Sequence, residues 1–264
     1  MSANEISAEQ RQQFIRDGFL VARNLLPINL VTTTRDRLAT ALGIDRNDSA
    51  TWQGKGISCD PDVLALTIPC RTDQVEAVAE QLVGPHFARG LAYSPFLESR
   101  GVSPATLTGY IPVINFPTPG PRLFEKPGSY HIDGMHLTTL WPDKHFLVVF
   151  AYLTDVAEHG GATTVLPGSH RQVFVHWVRV GHSGSTTPPA LEYANPLPVV
   201  GSAGDVIFMH YLTVHSGSTN RSDQIRLGLN TAVMPDPEHP YQRKQGAPQH
   251  GWTPLDHTLR TDEL

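Results

Sequence analysis

Residues 204–217 read Gly-Asp-Val-Ile-Phe-Met-His-Tyr-Leu-Thr-Val-His-Ser-Gly, a turn pair followed by a short apolar run and then by a further histidine. From residue 106 onward the chain contains several such runs, rich in β-branched and aromatic residues and separated by Gly, Pro, Asn and Asp. This spacing is typical of an all-β sandwich or barrel. The predicted strands are 108–116, 130–136, 146–154, 163–167, 198–200, 205–210 and 225–233. Antiparallel strands that close on themselves in this way predict a jelly roll.

The first 90 residues have helical patterns instead. Ser7 and Gln10 have the form of a capping box, and Gly18 ends the helix that this box begins. The further elements predicted in this part are a short strand at 19–21 and helices at 29–42 and 73–83. The fold class is therefore mainly β with flanking α-helices.

The organisation of the chain favours one domain, because no low-complexity linker or repeat separates its two parts. We expect a single domain over residues 1–264, in which a helical layer, 1–90, packs on a β-core, 106–235. Residues 117–128 contain four prolines and two glycines and are predicted to form a loop. A second loop or lid is expected at 176–196, where Gly, Ser, Thr and Pro cluster.

Composition excludes several classes of function. The formal net charge of −5 is spread without long runs of either sign, so we expect no binding of nucleic acid or membrane surfaces through bulk charge. The polar N-terminus and the lack of a long apolar stretch favour a cytoplasmic protein. Cys59 and Cys70 are too few for a disulfide framework. The expected partner is a small-molecule substrate, and the protein is expected to be a monomer or homodimer.

Three residues have the pattern of a metal centre. His131 and Asp133 are two positions apart in a predicted strand, so their side chains should point to one face. His215 follows another predicted strand much later in the chain. Two histidines and one carboxylate form the facial triad of non-haem iron oxygenases. Such a triad leaves three positions of an octahedral ion open, enough for a bidentate 2-oxo acid and O2.

Three segments carry a resemblance to a known family. They are the His-x-Asp of residues 131–133, the run Gly-Ala-Thr-Thr-Val-Leu-Pro-Gly-Ser-His of 161–170, and the Gly-Asp of 204–205 followed by His-Ser-Gly of 215–217 and Asn-Arg-Ser of 220–222. With these segments the chain resembles the phytanoyl-CoA dioxygenase family of Fe(II)- and 2-oxoglutarate-dependent oxygenases. The resemblance implies a double-stranded β-helix, the cupin-like form of the jelly roll.

The resemblance also implies residue roles. His131, Asp133 and His215 match the iron ligands, and Arg226, eleven residues after His215, matches the arginine that holds the distal carboxylate of 2-oxoglutarate. Arg221 is the competing candidate, but it is expected in a solvated turn, whereas Arg226 falls within an apolar strand and needs a partner there.

Two further polar residues are candidates for co-substrate contacts. Asn115, on the strand before the Pro-rich loop, and Thr163, after Gly160-Gly161, could each reach the 2-oxo acid. For both, a polar residue satisfied within a sheet is an equally good interpretation. His170 is expected in a turn and His210 has the opposite strand parity to a ligand, so neither is predicted to bind the metal.

The implied activity is oxidation, most simply hydroxylation, of an unactivated carbon in a small organic metabolite, such as one of specialised metabolism, with 2-oxoglutarate converted to succinate and CO2. Asp133 argues against an iron halogenase, which has a small residue in place of the ligand carboxylate. Desaturation, epoxidation and cyclisation stay open. The alternatives are a zinc-dependent hydrolase, which would not need Arg226, and a non-catalytic cupin-like binding module. Aromatic and apolar residues that could line a pocket, but more often belong to cores, are Trp52, Phe96, Met135, Trp141 and Trp177.

Overall fold

The computed structural model describes residues 5–52, 56–58, 60–84, 87–93, 109–133, 147–181, 187–235 and 258. The first helix, α1 (Ala8–Asp17), begins at Ser7, whose side chain and that of Gln10 form the predicted capping box. It ends at Gly18, whose φ of 81° is a left-handed conformation that glycine adopts without strain. Strand β1 (Phe19–Ala22) follows at once.

The helical layer continues with elements that the sequence predicted in part. The remaining helices before residue 85 are α2 (Ile28–Ala41), α3 (Pro61–Ala65) and α4 (Asp73–Val83), with single 3-10 turns at Ser49–Thr51 and Ile68–Cys70. The predictions at 29–42 and 73–83 are confirmed. The short α3 was missed, although Asp60 as N-cap and Pro61 in the first turn signal its start. None of the described helices is long and apolar enough to cross a bilayer.

The later strands are β2 (Phe87–Tyr93), β3 (Ile111–Asn115), β4 (Leu147–Tyr152), β5 (Thr163–Val165), β6 (Leu197–Val199), β7 (Val206–His210), β8 (His215–Gly217) and β9 (Arg226–Pro235). Within the described ranges they form two antiparallel sheets. One has six strands in the order β1-β7-β4-β9-β2, with β3 also paired to β9, and the other has the order β6-β5-β8.

Strand β4 shows how the layers pack, because all six of its residues are buried. Val148, Phe150 and Tyr152 point to one face and pack with Val165 and Val199 of the three-stranded sheet. The alternate residues point to the other face and pack with residues of the helices. These residues are Leu147, Val149 and Ala151 on the strand, with Leu38, Val75 and Leu82 on the helices. The predicted fold class, a mainly β jelly roll with flanking helices, is confirmed.

One predicted irregular region is helical instead. Helix α5 (Ser169–Val180) starts directly after Gly168, so the turn expected at 168–170 and the first part of the loop expected at 176–196 were wrong. Val173 and Trp177 are buried one helical turn apart, the i, i+4 pattern of a helix that packs on a core. Trp177 therefore belongs to the core, while Phe96, Met135 and Trp141 lie outside the described residues.

Candidate metal centre

The backbone brings His131 beside His215. The two residues form an isolated antiparallel bridge, with His131 N donating to His215 O at 3.0 Å and His215 N donating to His131 O at 3.1 Å. The predicted strand at 130–136 is wrong over its described part, because Ile132 and Asp133 are not in a strand and residues 134–136 lie outside the described residues. A single rung between the two backbones, not strand alternation, therefore brings Asp133 near both rings.

The three side chains form one cluster. A ligand atom of each of His131, Asp133 and His215 lies within 4.8 Å of the others. His131 Nε2 is 3.3 Å from Asp133 Oδ1, and His215 Nε2 is 3.7 Å from Asp133 Oδ2. The ring centroids of the histidines are 4.3 Å apart. This is a donor set of two imidazoles and one carboxylate that can hold a divalent cation.

The hydrogen bonding of His215 presents the correct nitrogen to a metal. Its Nδ1 lies 2.9 Å from Thr213 O, a carbonyl that can only accept, so Nδ1 carries the proton and Nε2 keeps its lone pair. Burial lowers the pKa of His215, and the neighbouring His131 lowers it further, against the opposing effect of Asp133. Both the tautomer and the neutral state are those of a metal ligand.

The pKa of His131 is shifted in the opposite direction to that of His215. Burial alone would lower its pKa, but the hydrogen bond to Asp133 and the charge of that carboxylate raise it above the ordinary value. Without a cation between them, His131 and Asp133 thus favour the protonated ion pair. A bound divalent cation would take the place of that proton, so metal binding at this centre releases protons.

Arg226 lies on the inward face of the large sheet. On β9 it is paired with Asn115 of β3, and its side chain is 4% exposed. Nη1 donates to Thr163 Oγ1 on the opposite sheet at 3.5 Å, and the guanidinium lies over the ring of Phe150, 4.9 Å from the centroid. Buried Nε finds no acceptor among the described residues. Burial lowers the pKa of Arg226, and the loss of solvation leaves this charge in need of an anionic partner.

Thr163 and Asn115 both lie next to Arg226, but their side chains differ in their hydrogen bonds. Thr163 is buried, and its hydroxyl accepts from Arg226. The Asn115 amide nitrogen is committed to the carbonyl of Ser218 at 2.9 Å. Thr163 pairs with Gly217 while Val165 pairs with His215, so Thr163 lies one strand across and two residues along from His215. That offset corresponds to roughly 8 Å, a gap that a five-carbon diacid can bridge.

Arg221, the competing candidate for a carboxylate, is engaged elsewhere. Its Nε donates to Glu125 Oε2 at 2.8 Å, and Nη1 donates to the carbonyls of Thr118, at 3.3 Å, and Pro119. All three acceptors belong to the Pro-rich loop, 117–128, that leads from Asn115 to His131. Arg221 therefore fastens this loop, a role that the sequence alone did not reveal.

The other two histidines considered from the sequence lie away from the cluster. His210 ends β7 on the face that packs against the helices, and His170 is in the first turn of α5. Their rings are fully buried, 5.1 Å apart. His210 Nδ1 accepts from Leu212 N at 3.1 Å. Both residues are thus part of the structural core on the helical side of the sheet.

A family model described as "Phytanoyl-CoA dioxygenase (PhyH)" matches residues 102–228 of the chain. This segment contains His131, Asp133 and His215 together with Arg226. Among curated proteins, "Dioxygenase trt7" of Aspergillus terreus (strain NIH 2624 / FGSC A1156) is 28% identical over 97 residues. That match covers 37% of this chain and 30% of the Aspergillus protein, so it spans less than a third of the relative.

Solved structures share the fold at low identity. The non-haem α-ketoglutarate-dependent carbocyclase SnoK from nogalamycin biosynthesis superposes with a TM-score of 0.56 at 18% identity, covering 96% of both chains. The non-haem α-ketoglutarate-dependent epimerase SnoN, also from nogalamycin biosynthesis, gives a TM-score of 0.56 at 18% identity, covering 94% of this chain and 91% of its own. EvdO2 from Micromonospora carbonacea var. aurantiaca gives a TM-score of 0.57 at 13% identity, covering 88% of this chain and 92% of its own. At these identities the likeness establishes the fold.

Proposed function

We propose that the chain, whose residues 102–228 match the phytanoyl-CoA dioxygenase (PhyH) family model, is a non-haem Fe(II)- and 2-oxoglutarate-dependent dioxygenase that oxidises a carbon of a small organic molecule. The observation that carries the proposal is the cluster of His131, Asp133 and His215, with a buried, under-bonded arginine on the facing sheet. A zinc hydrolase would use the cluster but has no need for such an arginine.

The donor set fits Fe(II). Two neutral imidazole nitrogens and one carboxylate oxygen suit this ion, and three protein ligands leave coordination positions for small molecules. When bound, the ion supplies the redox chemistry by which O2 is consumed, 2-oxoglutarate is decarboxylated to succinate and CO2, and a carbon–hydrogen bond is oxidised. His215 is held for this task by Thr213, and His131 by its two backbone bonds to His215.

Arg226 is the residue proposed to anchor the co-substrate. Its fork of N–H groups can bind a carboxylate through two parallel hydrogen bonds, which would satisfy the orphaned Nε. Thr163, already within reach of Arg226, would add a hydroxyl donor to the same carboxylate. The neighbouring Phe150 and Tyr152 rings keep water away from this end of the interior, which strengthens the charge pairing. Asn115 contributes through Ser218, by holding the strand ends together.

The substrate is proposed to be a small molecule of specialised metabolism, and the reaction a hydroxylation. Two of the fold relatives, the carbocyclase SnoK and the epimerase SnoN, belong to nogalamycin biosynthesis, which supports a substrate of this class. Asp133 supports oxygen transfer, since the carboxylate fills the position that a halide would need.

Anaerobic titration of the metal-free protein with Fe(II) and 2-oxoglutarate tests the proposal. We expect a weak visible charge-transfer band in the wild type, because the 2-oxo acid chelates the ion in the positions that the triad leaves open. Asp133→Ala should abolish the band. Asp223→Ala is the matched control, since this carboxylate is exposed and pairs with Arg122 at the surface.

Two outcomes of this titration would contradict the proposal. Wild-type protein that gives no band but binds Zn(II) tightly would overturn the dioxygenase in favour of a hydrolase or a binding module. A band that survives Asp133→Ala would mean that the metal lies elsewhere. A separate assay distinguishes turnover from chelation alone. With O2 present, we expect the wild type to produce succinate and both His215→Ala and Asp133→Ala to produce none.

A further inference from the structure

Strand β9 carries a second inward-facing polar residue, Asn230. Residues that lie directly opposite each other in a sheet share a face, and Asn230 is paired with Phe150 on one side and Ile111 on the other. Asn230 is four residues after Arg226 and therefore points to the same interior. The interior of the jelly roll thus has two polar positions along this strand.

The amide oxygen of Asn230 lacks a partner. Oδ1 is buried and finds no hydrogen-bond donor among the described residues, while the strand neighbours of Asn230 on the inward face, Phe150 and Ile111, are apolar. A buried amide oxygen without a hydrogen bond costs free energy, so such a group in a sheet core is unusual unless a ligand completes it. Asn230 as a whole residue is only partly buried.

Its ligand is not the carboxylate proposed to bind Arg226. Four residues of strand separate the two positions by about 13 Å. The ring of Phe150 also lies over Gly228, where there is no room even for a Cβ, and so stands between them. The co-substrate is accounted for by the shorter gap between Thr163 and the metal cluster. A molecule that binds at Asn230 would therefore be distinct from the co-substrate.

We propose that Asn230 determines substrate choice by accepting, through Oδ1, a hydrogen bond from a hydroxyl group that the organic substrate carries on an apolar skeleton. An amide oxygen only accepts, so a hydroxyl donor satisfies it and a carbonyl does not. Phe150 and Ile111 provide the apolar walls on both sides of the amide. This inference rests on the proposed function, because it assigns the second reactant of the same site.

The test compares Asn230→Leu with Thr231→Val. Thr231 is the next residue on β9 and faces the helical side. Like Asn230, it has a buried side-chain oxygen without a partner among the described residues, so it is the control for loss of such a group on the opposite face. The probes are borneol, a rigid alicyclic alcohol, and camphor, the matching ketone, measured by ligand-observed NMR on protein loaded with Zn(II) and 2-oxoglutarate. We expect Asn230→Leu to weaken binding of borneol roughly five- to tenfold and to leave binding of camphor, which has no donor, unchanged, whereas Thr231→Val should change neither.

Two further measurements, the affinity for 2-oxoglutarate and the thermal midpoint, distinguish loss of substrate binding from loss of co-substrate binding or of stability. The affinity for 2-oxoglutarate of Asn230→Leu should match that of the wild type, and its thermal midpoint should be at least as high, because Oδ1 makes no hydrogen bond to the described residues that the variant could lose. A parallel loss of 2-oxoglutarate affinity would overturn the inference, since Asn230 would then serve the co-substrate. Equal binding of borneol by wild type and variant, or no binding of borneol to the wild type, would also overturn it. Failure of the wild type to bind 2-oxoglutarate would instead contradict the proposed function.

Discussion

Arg226 is a buried guanidinium whose hydrogen bonding is incomplete. Its contact to Thr163 is long, at 3.5 Å, and Nε has no acceptor among the described residues. We expect Arg226→Lys to raise the dissociation constant for 2-oxoglutarate at least tenfold, because an ammonium keeps the charge but loses the planar fork. Thr163→Val should raise it about threefold or less, since it removes one neutral donor. Anaerobic titration in the presence of Fe(II) measures both constants.

The comparison of the two variants decides which residue anchors the carboxylate. Equal losses in Arg226→Lys and Thr163→Val would assign the anchor to the pair as a unit. An unchanged constant in Arg226→Lys would move the anchor away from β9 altogether. Arg122→Lys is the control for replacing an arginine by lysine away from the site, because Arg122 is exposed and pairs with Asp223 at the surface.

At the scale of residues, the sequence predicted which side chains would meet at the candidate metal centre, but not the backbone geometry that brings them together. His131, Asp133 and His215 were predicted as ligands, and the structure brings them together. The predicted cause, alternation in a strand, was wrong, because His131 forms a single bridge and Ile132 and Asp133 are not in a strand. Long-range pairing is invisible to a local pattern. For the same reason neither the fastening role of Arg221 nor the unpartnered amide oxygen of Asn230 could be found before the strands were in register.

Among the elements, the Pro-rich loop of 117–128 connects two parts of the site and is held from outside. Asn220 O accepts from Thr118 N at 2.8 Å, its side chain donates to Asn115 O at 3.0 Å, and Arg221 holds Glu125. Gly120 packs directly against the Arg221 guanidinium, where an added Cβ would lie 2.6 Å from Nη1. The turn after β8 therefore clamps the loop that precedes His131.

Arg221→Gln should loosen that clamp. We expect the dissociation constant of Mn(II) to rise about tenfold, the effect typical of lost outer-shell support for a metal ligand, while the protein stays folded. The matched control is Arg122→Gln, which removes an arginine from the loop itself, with its side chain 61% exposed. Manganese titration followed by electron paramagnetic resonance measures both. If Arg221→Gln and Arg122→Gln bind Mn(II) alike, the clamp does not position His131.

The predictability of elements followed how much each depends on local signals. Helix α4 was predicted with the correct bounds because Thr72 caps its start and Gly84 follows its end. Helix α5 was missed because its N-cap, Gly168, makes no side-chain capping bond and the Pro-Gly before it resembles a turn. The burial of Val173 and Trp177, a tertiary effect, makes this segment helical.

On the scale of the whole molecule, the large sheet has buried polar groups on both faces. Those of the candidate site face the smaller sheet, and a second set lies between the large sheet and the helices. His170 and His210 belong to the second set, which the composition of the chain does not reveal. Burial lowers the pKa of His170 to about 3, with the charge of Arg171 contributing. Burial also lowers the pKa of His210 well below its ordinary value, and His170 lowers it further. The folded protein therefore keeps both rings neutral in mild acid.

This difference between folded and unfolded chain makes stability depend on pH. In the unfolded chain each histidine binds a proton near pH 6.5, whereas the folded protein does not. Because the unfolded state then binds more protons, the free energy of unfolding falls as pH decreases below about 6.5, by up to about 1.4 kcal/mol per pH unit for each histidine. For His170 the fall continues to about pH 3, where the folded state is protonated as well.

We therefore expect His210→Gln to flatten the decline of unfolding free energy between pH 6.5 and 4.5, by up to about 1.4 kcal/mol per pH unit. Urea denaturation of metal-free protein at several pH values measures the slope. His131 and His215 titrate in wild type and variant alike, so the difference between the two slopes isolates His210. His176→Gln is the control, since His176 is on the same helix as His170 but only half-buried. If His210→Gln and His176→Gln have the same slope, protonation of the buried pair does not govern acid unfolding.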